Sequence, residues 1–239
     1  FVEQQVDGAG GVTGLNNVVA VTVSPDGSHV YAASLVGAVA VFARNGTTGA
    51  LTFVEAHFDG VSGVDGLAVA RDVVVAPNGS HVYVAGLGDD AIAIFSRNDE
   101  TGALTFVDTV NDGVSGVHGL DGVIALAFSA DGKHMYAAGN AARAIAVFAA
   151  DATTGLLTFV EAETEGTNGV QGLFGIADLE VAPDGGHLYA VATTVSALST
   201  FGRDPVTGAL TFQSIATDGQ NGVDGIGGAI GVAVRPNGG

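Results

Sequence analysis

The chain has 239 residues, ample for one cored domain, and 47% of them are hydrophobic. Its net charge is −18, with seven Lys and Arg against 25 Asp and Glu, and such a surface disfavours nucleic acid and anionic membranes, which reward clustered basic residues. Cysteine is absent, which excludes disulfides and thiolate sites, and no apolar run approaches the roughly 18 residues of a membrane-spanning helix.

Phe1–Gln5 opens the chain with a segment that returns later as the last strand of a repeat. The first whole unit, Val18–Ala56, holds four short apolar runs: Val18–Ser24, His29–Ser34, Ala38–Arg44 and Ala50–Ala56. They are of strand length and rich in Val, Phe and Tyr. The same pattern returns in Val69–Thr109, Val123–Ala162 and Ala177–Ala216, and Ala229–Arg235 matches the first run of a fifth unit. The turn Pro25-Asp26-Gly27 recurs as Pro77-Asn78-Gly79, Ala130-Asp131-Gly132, Pro183-Asp184-Gly185 and Pro236-Asn237-Gly238, at steps of 52 or 53 residues. His-x-Tyr follows at His29, His81, His134 and His187, and a phenylalanine at Phe42, Phe95, Phe148 and Phe201. Thr-Gly pairs end at Gly49, Gly102, Gly155 and Gly208.

A period near 50 with four strands per unit predicts an all-β fold, a β-propeller of four-stranded antiparallel blades. The four complete repeats are joined by a split, partial fifth. Residues 1–239 thus read as a single β-propeller domain or as a fragment of a larger propeller. The split fifth unit lacks its two middle strands, so its outer strands are expected either to belong to a longer polypeptide or to be completed by strand addition from another copy.

The segments SPDGSHVYAAS, APNGSHVYVAG, SRNDETGALTFVD and DGVSGVDGL resemble the YVTN-type repeats of the lactonase-like β-propeller family. The likeness covers essentially the whole chain, but the matching residues belong to turns and core. The resemblance implies two types of lactone hydrolase. One uses an arginine, histidine and glutamate site; the other uses a channel calcium held by Glu, Asn and Asp.

Between units lies a nonapeptide with the pattern acid-Gly-x-x-Gly-x-x-Gly-apolar, at Asp7–Leu15, Asp59–Leu67, Asp112–Leu120, Glu165–Leu173 and Asp218–Ile226. Its carboxylates suit calcium, yet calcium takes six to eight oxygens and most copies offer one acid. The preferred reading is a linker whose acid caps a turn. The repeated histidines read as groups tying strand to turn. Arg44, Arg97 and Arg203 stand at hairpin ends and read as solvated charges. His57 and His118 fall outside the repeat pattern and read as surface residues.

The irregular residues are in the first strand of each unit, which the family topology would set along the channel. Positions three and five before the turn are small or apolar in most units, but carry Asp72, Asp178 and Glu180. Asp178 and Glu180 share a face about 7 Å apart. With Arg71 and Arg143 they form the channel-site candidates, and an ion pair of Arg143 with Asp178 or Glu180 is the structural alternative. Asn17, Asp72, Asp178 and Glu180 form the calcium set that the resemblance implies. The near-identical blades and few channel charges favour a non-catalytic secreted or cell-surface module that binds a protein partner or assembles with itself. A lactonase-like hydrolase with a channel site is the alternative.

Overall fold

The computed structural model describes residues 3–235, and their regular structure is entirely β. Sixteen strands form four sheets. The first holds β1 (Val18–Val23), β2 (His29–Ser34), β3 (Ala38–Arg44) and β4 (Leu51–Phe58). The second holds β5 (Ala70–Val75), β6 (His81–Gly86), β7 (Ala91–Arg97) and β8 (Leu104–Asn111). The third holds β9 (Val123–Phe128), β10 (His134–Gly139), β11 (Ala144–Ala150) and β12 (Leu157–Thr164). The fourth holds β13 (Ile176–Val181), β14 (His187–Ala192), β15 (Ala197–Arg203) and β16 (Leu210–Thr217). In each sheet every strand pairs antiparallel with its sequence neighbour. These are the four-stranded blades of a β-propeller. No helix of the described residues is long and apolar enough to cross a membrane.

Local chemistry sets the strand ends. In the Pro25 turn the Asp26 carboxylate accepts the Ser28 amide at 2.9 Å and the Ser24 hydroxyl. The loop after β3 closes as Asn45 accepts the amides of Thr47 and Thr48, both at 2.9 Å. A bulge follows Val41, Ile94, Val147 and Thr200 in the pairing of third with fourth strand. Directly after it, Phe42 meets Phe53 edge to face at 5.6 Å, and Phe95, Phe148 and Phe201 repeat the contact with Phe106, Phe159 and Phe212.

The chain forms two compact units, one reaching Asn111 with Asp151–Leu156 added, the other made of Asp112–Ala150 and the chain from Leu157 onward. In the first unit Ala20, Tyr31, Ala33, Val39 and Val41 pack against Val73, Val75, Val82 and Val84 of the second blade, with linker residues Val64 and Leu67 between. In the second unit Ala125, Ala127, Tyr136 and Ala138 pack against Leu179, Val181, Leu188 and Ala190, with Val170 and Leu173 between. Each fully buried valine or leucine among them contributes about 1.5–3 kcal/mol. A carboxylate from one blade braces the next: Glu55 accepts the Leu104 amide and Glu161 the Leu210 amide, both at 2.6 Å.

The expected split fifth repeat is not a pair of strands. Residues 3–5 and 229–235 carry no strand. Gln5 instead donates its side-chain amide to the Leu51 carbonyl at 3.0 Å, and the Val232 amide donates to Asp178 at 2.9 Å. Phe1 and the Pro236-Asn237-Gly238 turn lie outside the described residues.

Candidate functional site

Much of the chain's polar chemistry is structural. Arg97 and Arg203 are not solvated: they are 8% and 6% exposed. Arg97 Nε donates to the Tyr31 hydroxyl at 2.7 Å, Nη1 to the Gly79 carbonyl at 2.9 Å, and Nη2 to Asp26 Oδ2 and His29 Nδ1, both at 2.8 Å. Arg203 repeats this clasp on the Tyr136 hydroxyl, the Gly185 carbonyl and His134 Nδ1. Each arginine thus joins its own turn to the preceding blade. Among the described residues Arg44 has only the own-turn half, a bond to the Gly27 carbonyl at 3.0 Å. At the equivalent place in the third blade the residue is Ala150.

His29, His81 and His134 reach the next blade, each ring lying over the Thr-Gly glycine of the next hairpin. His81 also keeps the expected tie to its turn, its Nδ1 2.9 Å from the Ser80 hydroxyl. Gly102 has φ +75°, and a Cβ there would fall 2.2 Å from His29 Cδ2. Gly155 and Gly208 repeat this against His81 and His134. The buried tyrosines donate to the same glycines, Tyr31 to Gly102 O at 3.0 Å and Tyr83 to Gly155 O at 2.8 Å. Burial, and then the neighbouring guanidinium, hold His29 and His134 below the usual imidazole value; burial alone does so for His81.

The nonapeptide acids cap their loops, as the linker reading expects. Asp7, Asp59, Asp112, Glu165 and Asp218 each accept the amide eight residues on, at 2.6–3.0 Å. In one linker a second acid and a hairpin acid gather nearby. Asp59, Asp65 and Asp89 each bring a carboxylate oxygen within 4.8 Å of the others. Asp89 also accepts the Ala68 amide at 2.8 Å, and burial raises its carboxyl above the usual range. Asp65 lies within the Asp59–Leu67 linker, whereas Asp89 sits in the variable β6–β7 hairpin, where nothing in the repeat marks it.

The channel-site candidates divide between the units. Asn17, Arg71 and Asp72 belong to the first. Asn17 is exposed with φ +57°, and its carbonyl accepts the Leu35 amide at 3.0 Å. Arg71 is exposed at the bulge of β5, and Asp72 follows it, accepting the Val73 amide at 2.8 Å. Arg143, Asp178 and Glu180 belong to the second unit.

Asp178 follows the equivalent bulge of β13, where bulges re-aim side chains. The register of the third blade puts Ala125 and Ala127 at these two places, on the face that packs against its following neighbour. In the fourth blade that face carries Asp178 and Glu180 instead. Asp178 accepts the Leu179 and Val232 amides, both at 2.9 Å. Burial raises both carboxyls, and the Asp178 charge adds to the rise of Glu180.

Arg143 makes no ion pair with Asp178 or Glu180. Its guanidinium lies 4.1 Å from the centre of the Phe174 ring, and no carboxylate lies within salt-bridge distance of it among the described residues. Phe174, five residues before Leu179 and outside the repeat pattern, was invisible as a site residue until the fold set it under Arg143.

The model of the Lactonase, 7-bladed beta-propeller family matches residues 3–118 and 121–222. The chain belongs to this lactonase propeller family. The match overturns the expectation of a non-catalytic binding or assembly module. Among solved structures, the periplasmic gluconolactonase of Pseudomonas aeruginosa is 25% identical with a TM-score of 0.68, covering 86% of this chain and 58% of its own. A Bacteroides uniformis protein provisionally named 6-phosphogluconolactonase is 22% identical with a TM-score of 0.69, covering 87% of this chain and 55% of its own, and shares the fold. An uncharacterized protein of Lactococcus lactis subsp. cremoris is 32% identical over 79 residues, 33% of this chain and 23% of that protein. The chain thus spans little more than half the length of these similar structures.

Of the calcium set, Asn17 and Asp72 belong to the first unit and Asp178 and Glu180 to the second, where the two Asp178 oxygens accept backbone amides.

Proposed function

We propose that this chain is part of a propeller that hydrolyses a lactone to its hydroxy acid, with Asp178 and Glu180 as the acid–base pair. The family match carries the reading. The name of the Pseudomonas relative, a gluconolactonase, supports a sugar lactone as the substrate class.

The chemistry follows from the placement of the two acids. They stand on one face of β13, about 7 Å apart, wide enough to admit a water and a ring ester between them. Two like charges in a half-buried setting favour one shared proton. The amides of Leu179 and Val232 favour the ionised form of Asp178, which leaves the proton on Glu180. Asp178 then takes a proton from water as its oxygen bonds to the lactone carbonyl carbon. Collapse of the tetrahedral adduct breaks the bond to the ring oxygen, which receives the proton of Glu180. The products are one carboxyl and one hydroxyl from one ester and one water. Pairs of acids with separated roles are a common solution for such chemistry.

The test is proton release from D-glucono-δ-lactone by the purified protein, corrected for spontaneous hydrolysis. D178N and E180Q are each expected to lower kcat by about 100-fold or more, the usual worth of a general acid or base. Wild-type rates equal to buffer, or variants as active as wild type, would overturn the assignment.

A further inference from the structure

In a repeat protein, positions that match the repeat serve the blade; positions that break it are free for other work. Two such positions meet in the second unit. Arg143 stands where the other β2–β3-type hairpins carry Gly37, Asp90 and Ser196. Phe174 stands where the other blades have Asn16, Ala68 and Asp121. The structure stacks one on the other at 4.1 Å, with Phe174 still 40% exposed. Asn140, from the same hairpin, fixes the approach by donating its side-chain amide to the Ile176 carbonyl at 2.6 Å. Arg143 is exposed, and its side chain donates no hydrogen bond to the described residues.

The contrast with the other arginines gives this its meaning. Arg97 and Arg203 spend their donors inside the protein. Arg143 has its flat face held by an aromatic ring and its edge donors left for something else. A guanidinium oriented this way presents a fork that matches one planar carboxylate. A phosphate dianion fits less well: a single fork neutralises one charge, and the surplus would face a chain of net charge −18. Phe174 begins the segment that enters β13, so the stack lies within about 13 Å of Asp178 along the chain, at about 3.3 Å per residue.

Resting on the lactonase reading, we infer that the Arg143–Phe174 stack is a carboxylate-recognition subsite. It selects lactones of diacids, in which a second carboxylate lies at the end of the molecule away from the ester.

The experiment compares two substrates, D-glucono-δ-lactone and a sugar lactone bearing a carboxylate, on wild type and R143M. Methionine keeps the apolar stem over Phe174 and removes the fork. The ratio of kcat/KM for the carboxylate-bearing over the neutral lactone is expected to fall at least tenfold, through KM, and added salt should lower that ratio in the wild type. Equal losses on both substrates would show that Arg143 only supports the fold, and an unchanged ratio would show that it contacts no substrate anion; either overturns the inference. A second measurement stands apart from hydrolysis: calorimetric binding of a sugar diacid, the product. Binding that R143M weakens tenfold supports the subsite even in a protein that hydrolyses no lactone. Binding that R143M leaves unchanged, or tighter binding of inorganic phosphate than of the diacid, overturns it.

Discussion

Replacing Arg97 by methionine removes one half of a clasp while leaving its apolar stem in place. The guanidinium is almost completely buried, its side chain 2% exposed. Its bonds to the Tyr31 hydroxyl and His29 Nδ1 are charge-assisted and internal, a class worth about 1.5–3 kcal/mol each. The bond to Asp26 counts for less, because that side chain is 41% exposed and screened; about 0.5 kcal/mol is a fair share. Tyr31 keeps its bond to Gly102 and Asp26 keeps Ser28, so those two retain a partner and the loss stays below the sum, while His29 Nδ1 and the Gly79 carbonyl lose the arginine. The expected destabilisation is about 3 kcal/mol, or a fall in Tm of about 6–12 °C for a chain of this size. R44M is the control. Among the described residues the half-buried Arg44 side chain makes a single bond, to Gly27 O, and its loss should cost no more than about 1 kcal/mol. Thermal melts and urea titrations of both variants beside wild type give the comparison. Y31F with R97M should show a coupling of about 1 kcal/mol or more. Equal losses in R97M and R44M, or additivity of Y31F with R97M, would refute the clasp as an energetic unit.

G102A should be far more harmful than G113A, although both glycines have φ above +70°. A Cβ at 102 meets the His29 ring, whereas nothing lies within 4 Å at 113, so G113A should cost only the ~1–2 kcal/mol of the left-handed backbone; similar Tm losses would contradict the packing argument. His29, His81 and His134 are held below their usual value, so the folded state prefers the neutral ring. Their contribution is whole above the unfolded value of 6.5 and is lost as pH falls through and below it, where the unfolded chain takes up protons first. The Tm advantage of wild type over a variant with all three replaced by glutamine should therefore shrink from pH 7.5 to 5; a constant difference would contradict the sign.

The blades were legible because their signals are local. Pro-Asp-Gly turns, Asn-x-x-x-Gly loops and short apolar runs each specify a strand end within a few residues, and the four sheets follow them closely. The clasp was not legible. Arg97 and Tyr31 are 66 residues apart, and Arg203 and Tyr136 are 67, so no window of one repeat contains both partners. A hairpin-end arginine looks solvated until the neighbouring blade covers it. Asp178 and Glu180 stood out because they replace small residues at fixed places in the repeat. Arg143 was noted for its charge, and its ion pairing with them was the wrong inference: charge alone does not reveal that an aromatic ring lies closer. The family match moved the reading from a binding module to the lactonase-like alternative that the repeat segments had already offered.

The clasp has a direction. A blade such as the first carries the arginine, Arg44, and also the accepting set, Asp26, His29 and Tyr31. In the two assembled clasps the arginine always comes from the later blade and the accepting set from the earlier one. A gene segment encoding one blade therefore encodes both halves of its own joint. Copying that segment in tandem yields a newcomer that already locks onto its parent, without any fresh complementarity having to evolve. The array can lengthen by duplication first and diversify afterwards. Ala150 illustrates such divergence: its blade carries the accepting set at Asp131, His134 and Tyr136 and alanine in place of the arginine.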